Sequence, residues 1–286
     1  MTILGGDLRQ CYLAEYMHTL GHDVICFGTV PFPFSHGEGI PVSHNLTYAL
    51  AQARLVLGPV PFSKDGVHLN ADPKESLSLH DLLGALRPGQ ILAGGGFGED
   101  FSSSCAAAQI PVWDLMKDEA FICRNAALTG EGFLSLLISN TPFSLRGRSL
   151  LLIGYGRCAR EIEKLLRCFS MKIYVCDCKK EALALASSQG HRAVWPKELS
   201  RCLPNLDLII NTVNDSVLAD AQLDLLPPDC ILFDIASAPY GFRKETADQK
   251  NLRLLRCPGI PGHTMPQTAG EAMGAALSER MLSYGL

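Results

Sequence analysis

Apolar residues along the chain come in short unbroken runs, separated by longer stretches where they recur every third or fourth position. This is the pattern of buried strands alternating with one-sided helices. The chain opens on Ile3-Leu4, turns at Gly5-Gly6-Asp7, and carries a helical pattern through Leu20. It then turns at Gly21-His22-Asp23 and returns to the apolar run Val24-Ile25-Cys26-Phe27. The reading is a β-turn-α-turn-β unit. After a loop rich in Pro, Gly and His from Pro31 to Pro41, apolar runs stand at Leu55-Val56-Leu57 and Ile91-Leu92-Ala93, the second followed by Gly94-Gly95-Gly96-Phe97-Gly98. Strands alternating with helix-length segments predict a parallel sheet covered by helices.

From Asp118 to Ser139 the pattern is helical with a break expected at Thr129-Gly130-Glu131-Gly132. It stops at Asn140-Thr141-Pro142, because proline disfavours helix in the residue before it. A second series follows: strand Ser149 to Ile153, helix Arg157 to Phe169, strand Lys172 to Cys176, helix Lys180 to Ser188, then strands Leu206 to Ile210, Cys230 to Phe233 and Leu252 to Leu255. That order is doubly wound. The tail from about Met265 to Tyr284 places Ala269, Met273, Ala276, Leu277 and Met281 at helical spacing, and is expected to return to the first domain. The predicted organisation is a first α/β domain over 1–120 completed by 264–286, an interdomain helix over 121–143, and a second α/β domain over 144–263.

Composition narrows the function classes. A length of 286 residues fits about two domains at roughly 150 residues each, and 47% hydrophobic with 19% charged residues excludes disorder as the main state. A net charge of −4 gives no positive field for phosphate backbones or anionic lipid, so neither nucleic acid nor membrane is expected as a partner. The 11 cysteines are scattered through strands and helices and read as reduced thiols of a cytoplasmic protein without a leader. Cys176-Asp177-Cys178 lacks a second pair at zinc-ligand distance, so no metal is expected.

The chemistry concentrates at Gly154-Tyr155-Gly156-Arg157-Cys158-Ala159, a G-x-G-x-x-A turn that follows an apolar strand and opens a helix. Asp177 lies 18 residues after Ala159, at the end of the next strand, where a carboxylate meets a ribose hydroxyl. In such a turn the first glycine allows the tight bend, the second lets backbone approach a pyrophosphate, and the small third residue allows close helix-sheet packing. The second domain therefore reads as a Rossmann dinucleotide-binding domain. Asp177 favours NAD, whereas Lys179 and Lys180 would attract the 2′-phosphate of NADP. Asn211-Thr212-Val213 and Asp234-Ile235-Ala236-Ser237 follow later strands at their carboxyl ends, where open α/β sheets bind ligands. Expected dinucleotide contacts are Gly154, Tyr155, Gly156, Arg157, Cys158, Asp177, Cys178, Lys179, Asn211, Thr212 and Val213.

The chain also resembles the A-subunit family of dipicolinate synthase. The resemblance is carried by Gly5-Gly6-Asp7-Leu8-Arg9-Gln10, Thr129-Gly130-Glu131-Gly132, Gly154-Tyr155-Gly156-Arg157, Asn211-Thr212, Asp234-Ile235-Ala236-Ser237, and Pro258-Gly259-Ile260-Pro261-Gly262 continuing to Pro266-Gln267-Thr268-Ala269-Gly270. It departs from the family at Asp177, Ala238 and Gln267. The resemblance implies oxidation of a dihydrodipicolinate-type cyclic dicarboxylate, from the diaminopimelate branch of lysine biosynthesis, to pyridine-2,6-dicarboxylate. NADP or NAD would take the hydride. It further implies sporulation, with the mother-cell cytosol as location, a flavoprotein-like B subunit as partner, and a homo- or hetero-oligomer.

A dicarboxylate calls for donors, and arginine's planar fork suits carboxylates best. Arg9 and Arg157 are the candidates, and Asp7, Arg9, Thr129, Ser237 and Thr264 are the expected substrate contacts. Hydride loss must be matched by proton loss, for which His263 is the first candidate base and Glu131 the second. Two other readings stand beside this one. An NAD-dependent 2-hydroxyacid dehydrogenase shares the layout, but the arginine it would carry after the Asp234 strand is absent from Ala236-Ser237-Ala238. A non-catalytic dinucleotide-sensing or scaffold module would bind cofactor without turnover.

Overall fold

A computed structural model describes residues 1–32, 39–71 and 76–285. Residues 33–38 of the expected Pro31–Pro41 loop lie outside them. The chain divides into two compact units: Met1–Asn125 together with the segment from Met265 onward, and Ala126–Thr264.

In the first unit the elements run β1 (Thr2–Leu4), α1 (Leu8–Thr19), β2 (Ile25–Phe27), β3 (Val42–Ser43), α2 (Leu46–Leu50), β4 (Leu55–Leu57), α3 (Leu79–Ala85), β5 (Ile91–Gly94), α4 (Glu99–Ala107) and β6 (Val112–Asp114). Helix α5 (Glu119–Asn140) follows. All six strands are parallel in the order β3-β2-β1-β4-β5-β6, so the direction of winding reverses between β1 and β4. Both faces of the sheet are buried. Ile3, Leu57 and Ala93 face one core with Leu13 and Met17, while Leu4, Val56 and Leu92 face another with Phe62 and Leu82. The period-2 alternation of a strand between two helical layers explains why the runs read as unbroken apolar.

The second unit continues with β7 (Ser149–Ile153), α6 (Arg157–Leu166), β8 (Lys172–Cys176), α7 (Lys180–Ser188), β9 (Arg192–Val194), β10 (Leu208–Asn211), α8 (Asp220–Leu223), β11 (Ile231–Asp234), α9 (Lys244–Gln249), β12 (Arg253–Arg256) and α10 (Ile260–Thr264). Its six strands are again parallel, ordered β12-β11-β10-β7-β8-β9. Counted from the first strand of each sheet, the order is the same in both units. The doubly wound class expected for both domains is the architecture found.

The closing helix α11 (Pro266–Tyr284) belongs to the first unit, where Met273, Ala276, Leu277 and Met281 enter the core beside Leu13 and Met17. One expectation is corrected. Thr129-Gly130-Glu131-Gly132 does not interrupt the helix, and α5 runs unbroken from Glu119 to Asn140. The glycines serve close packing instead. A Cβ on Gly130 would stand 3.1 Å from Glu161 Cβ, and one on Gly132 would stand 2.3 Å from Thr264 Oγ1. A mid-helix glycine costs about 1 kcal/mol relative to alanine, which the approach of α6 and α10 offsets. By length and composition α5 is also the one helix among the described residues apolar enough to cross a membrane, but its Phe133 and Leu137 are spent in the second unit's core.

Candidate functional site: the glycine turn of the second unit

At the reversal point of the second sheet, β7 runs into Gly154 with φ +83°. A Cβ there would lie 2.6 Å from both Thr212 Oγ1 and Val213 Cγ1, so the bend and the packing both demand glycine. The Gly154 N–H donates to Cys176 O at 2.8 Å, and the Tyr155 N–H donates to Asp177 Oδ2 at 2.8 Å. Gly156 is the N-cap of α6 in extended conformation, φ −74° and ψ −164°, with no side-chain cap on the helix. A Cβ on Gly156 would meet nothing within 4 Å. The start of α6 thus carries no N-cap side chain, and the backbone at Gly156 is open on the side where an anion would sit on the positive end of the helix. Ala159, fully buried, lets α6 lie close on the sheet. These features fit a diphosphate.

The matching place in the first unit is built the other way. Gly5 and Gly6 have φ +55° and +80°, but the N-cap of α1 is Asp7, with φ −110° and ψ −163°. Its Oδ1 accepts from the Arg9 N–H at 3.0 Å, while the Asp7 N–H donates to Gln10 Oε1 at 3.3 Å, a closed capping box. The segment after β4 crosses the same spot, with Gly6 N–H donating to Asn70 O at 2.7 Å. One fold position carries a carboxylate in the first unit and an open glycine in the second. The carboxylate side chain thus caps the helix in the first unit, and no side chain does so in the second.

This bears on two expected substrate contacts. Arg9 donates to Asp7 through Nε at 2.9 Å and Nη2 at 2.8 Å, and to Val60 O at 2.6 Å. The fork expected to hold a carboxylate holds the chain's own Asp7 and ties α1 to the loop after β4.

Around the glycine turn, Asp177 is braced on both oxygens, its Oδ1 taking the Lys179 N–H at 2.8 Å. Cys178, Lys179, Lys180 and Arg157 are exposed beside it. Thr212 Oγ1 donates to Ile153 O at 2.9 Å. Asn211 is 1% exposed and spends its amide inside the unit, donating to Val213 O at 2.7 Å and Asp234 Oδ1 at 2.8 Å. It positions the turn's neighbour rather than presenting a donor. Thr129 is buried on α5 and shares a side-chain hydrogen bond with the half-buried Cys158 of α6. Thr264 Oγ1 donates to Ile260 O at 2.8 Å. Ser237, Glu131 and His263 are exposed, and among the described residues no hydrogen bond joins Glu131 or His263 to the turn. Burial pushes the thiols of Cys11, Cys26, Cys176 and Cys230 up to about 12, which keeps them unreactive.

Two further polar features stand near the turn, the first at a strand end named in the sequence and the second not foreseen there. Asp234 is fully buried and accepts from Asn211, the Gly241 N–H at 2.9 Å, the Phe242 N–H at 3.1 Å and the Ala236 N–H at 3.3 Å. It folds the Ile235–Phe242 loop onto the sheet. Asp234→Asn places an amide NH2 donor against donors that one carboxylate oxygen had accepted from and is expected to cost about 2 kcal/mol, read by urea unfolding; a loss below about 0.5 kcal/mol would deny it that role. The second feature is a polar cluster under Tyr155. Glu163, 2% exposed, accepts from Arg167, from His191 Nε2 at 2.6 Å and from the Tyr155 hydroxyl at 3.4 Å. Burial pushes the Glu163 carboxyl up, but hydrogen bonds from Arg167 and His191 outweigh it and hold it below its ordinary value. Burial, with Glu163 alongside, drives the Tyr155 phenol up to about 12. The available signal was a charge on the apolar face of α6, between Ile162 and Leu166.

The fold and the turn together define a two-unit α/β protein with two doubly wound parallel sheets, similar to the Rossmann-like folds of dehydrogenases. An L-alanine dehydrogenase structure aligns with 100% of this chain and 91% of its own, at TM-score 0.61 and 13% identity, a likeness of fold. More specifically, residues 1–116 match the family described as the N-terminal domain of the dipicolinate synthase A subunit. The crystal structure of the dipicolinate synthase A subunit from Bacillus halodurans aligns with 98% of this chain and 96% of its own, at TM-score 0.84 and 20% identity. The dipicolinate synthase A subunit of Bacillus subtilis (strain 168) is 23% identical over 282 residues, which cover 98% of this chain and 94% of that protein. The match of residues 1–116 and the full-length likenesses together support the dipicolinate synthase A-subunit family for this chain.

Proposed function

We propose that this chain is the dehydrogenase-like subunit of a dipicolinate synthase, removing a hydride and a proton from a dihydrodipicolinate-type cyclic dicarboxylate to give pyridine-2,6-dicarboxylate. One observation carries the reading. A chain similar along 98% of its length to a dipicolinate synthase A subunit leaves the start of α6 open at Gly156, where its first unit closes the same position with Asp7.

A bound nicotinamide dinucleotide would supply the hydride acceptor. Gly154, Tyr155 and Gly156 would set the backbone against its diphosphate, with Arg157 at the first position of α6. Asp177, held beside the turn by the Tyr155 and Lys179 amides, would meet the adenosine ribose and rank NAD ahead of NADP, since a 2′-phosphate there faces a carboxylate. The proton would go to the exposed imidazole of His263, imidazole being the side chain best suited to act as a base near neutrality. The substrate is a dianion, and the chain's own contribution is to orient it and exclude competing reactions. A second subunit is the proposed partner, following the subunit naming of the relatives; the family resemblance makes it flavoprotein-like, and the cytoplasm is the proposed location.

The condensation product of aspartate semialdehyde and pyruvate, generated in situ, provides the test. With the chain and either dinucleotide, in the presence and absence of the partner protein, pyridine-dicarboxylate absorbance is expected to rise only when the chain is present, and faster with NAD. Dinucleotide binding without product under every combination would turn the assignment toward another dehydrogenase substrate or a sensing role.

A further inference from the structure

The side chains clustered beneath the glycine turn have no part in the reading above, and burial of an ion pair is weak evidence of a purely stabilising role, since apolar replacements often do as well. Its geometry points elsewhere. Tyr155 sits between the two glycines of the turn and is tethered at both ends. Its N–H donates to Asp177 Oδ2 at 2.8 Å, and its hydroxyl donates to Glu163 Oε2 at 3.4 Å. The ring between them is 5% exposed, packed in the core with Ala159 and Ile162. Fixing both ends of this residue fixes the peptide plane that leads into Gly156, and hence the direction of the backbone at the open helix start.

The Glu163 carboxylate is itself fully engaged. Oε1 accepts from Arg167 Nε and from His191 Nε2 at 2.6 Å, while Oε2 accepts from Arg167 Nη2 at 3.1 Å and from Tyr155. Arg167 Nη2 also donates to Gln189 Oε1 at 2.6 Å. An ionised carboxylate only accepts, so the His191 Nε2 carries a proton and donates. Arg167 holds both carboxylate oxygens in its fork, and His191, with its side chain 9% exposed, adds a second donor on Oε1 from the segment entering β9. Without it, one of the contacts that fix the tilt of the carboxylate, and with it the position of Oε2 under the phenol, is lost.

We propose that Tyr155, Glu163 and His191 act as a linked set of positioning residues for the dinucleotide, in which His191, on the segment entering β9, holds Glu163 so that Tyr155 keeps the glycine turn aimed at the diphosphate. This rests on the dinucleotide reading of the Gly154–Gly156 turn. At 3.4 Å the Tyr155 link is the longest in the set, so the expected effects are modest.

The test is titration of the full chain and its variants with NADH and NADPH, followed by nicotinamide fluorescence. Tyr155→Phe and His191→Leu are each expected to raise Kd about threefold to tenfold. His191→Gln, which keeps an amide donor, is expected to recover most of the loss. The double variant is expected to be no weaker than the worse single variant, because both break one linkage. A purely structural cluster would lower thermal stability without this pattern. Unchanged Kd in folded single variants, or losses that simply multiply, would overturn the linkage. Should His191→Leu fail to fold, Tyr155→Phe and His191→Gln still decide it, an unchanged Kd in Tyr155→Phe being enough to refute it. No binding of either dinucleotide by the unmodified chain would overturn the dinucleotide reading and the linkage with it.

Discussion

Gly156→Asp is expected to abolish dinucleotide binding while leaving the fold intact. The first unit already shows this arrangement, because Asp7 occupies the N-cap of α1 in the same extended region, φ −110° and ψ −163° against φ −74° and ψ −164° at Gly156. A Cβ at 156 meets nothing within 4 Å, so aspartate fits without strain. Its carboxylate would accept from the first amides of α6, as Asp7 accepts from Arg9 N–H in α1. That replaces an empty anion position with a fixed negative charge. Exchanging a glycine cap for aspartate changes stability by only a few tenths of a kcal/mol. The loss of the diphosphate's donors, together with repulsion, should weaken binding at least a hundredfold, about 2.7 kcal/mol. Calorimetric titration beside a thermal melt separates the two effects. A folded variant that binds within about threefold of the unmodified chain would refute the placement of the diphosphate.

Gly270→Val is expected to destabilise the first unit by about 3 kcal/mol or more. A Cβ at Gly270 would stand 2.5 Å from Arg9 O and 2.9 Å from Leu13 N, backbone atoms of α1 that cannot rotate aside. One turn further along, a Cβ at Gly274 would stand 2.2 Å from the Tyr16 ring. The two glycines let α11 lie directly on α1, which is what buries Met273, Leu277 and Met281 against Leu13 and Met17. Displacing α11 exposes side chains worth about 1.5–3 kcal/mol each when fully buried. Trp113, 2% exposed and in ring contact with Tyr284 at 5.0 Å, reports on this packing when Trp195 is replaced by phenylalanine. A urea midpoint followed through Trp113 and left unmoved by Gly270→Val would contradict the close contact.

Much of this architecture can be read from the residues. The second unit's β7, β8 and α7 fall on the expected boundaries, because each is a run of apolar or good helix-forming residues closed by glycine, aspartate or lysine. The strands that escaped, β3, β6 and β9, are sheet edges of two or three residues. An edge strand is buried on fewer sides and has no need of an apolar run, as the exposed Arg192 and Ala193 of β9 show. The helix break expected at Gly130 and Gly132 failed for a related reason. Glycine in a sequence looks the same whether it ends a helix or admits a neighbouring one, and only the position of Glu161 and Thr264 distinguishes them. At the site, the turn residues were visible because their spacing reflects backbone geometry. Arg9 was not, since nothing in Gly5-Gly6-Asp7-Leu8-Arg9 reveals that the arginine folds back on the aspartate two residues earlier. Glu163 and His191 are 28 residues apart and meet only through the fold.

The number of dinucleotides bound per chain tests the placement of the dinucleotide on the second unit in a single titration. Both sheets have the same strand order and both first turns begin with a left-handed glycine, yet only the second leaves its helix start open. Calorimetry of the unmodified chain with NADH, repeated with NADPH, should give one site per chain, absent from Gly156→Asp. Two sites per chain, no site, or one site that survives in Gly156→Asp would contradict it.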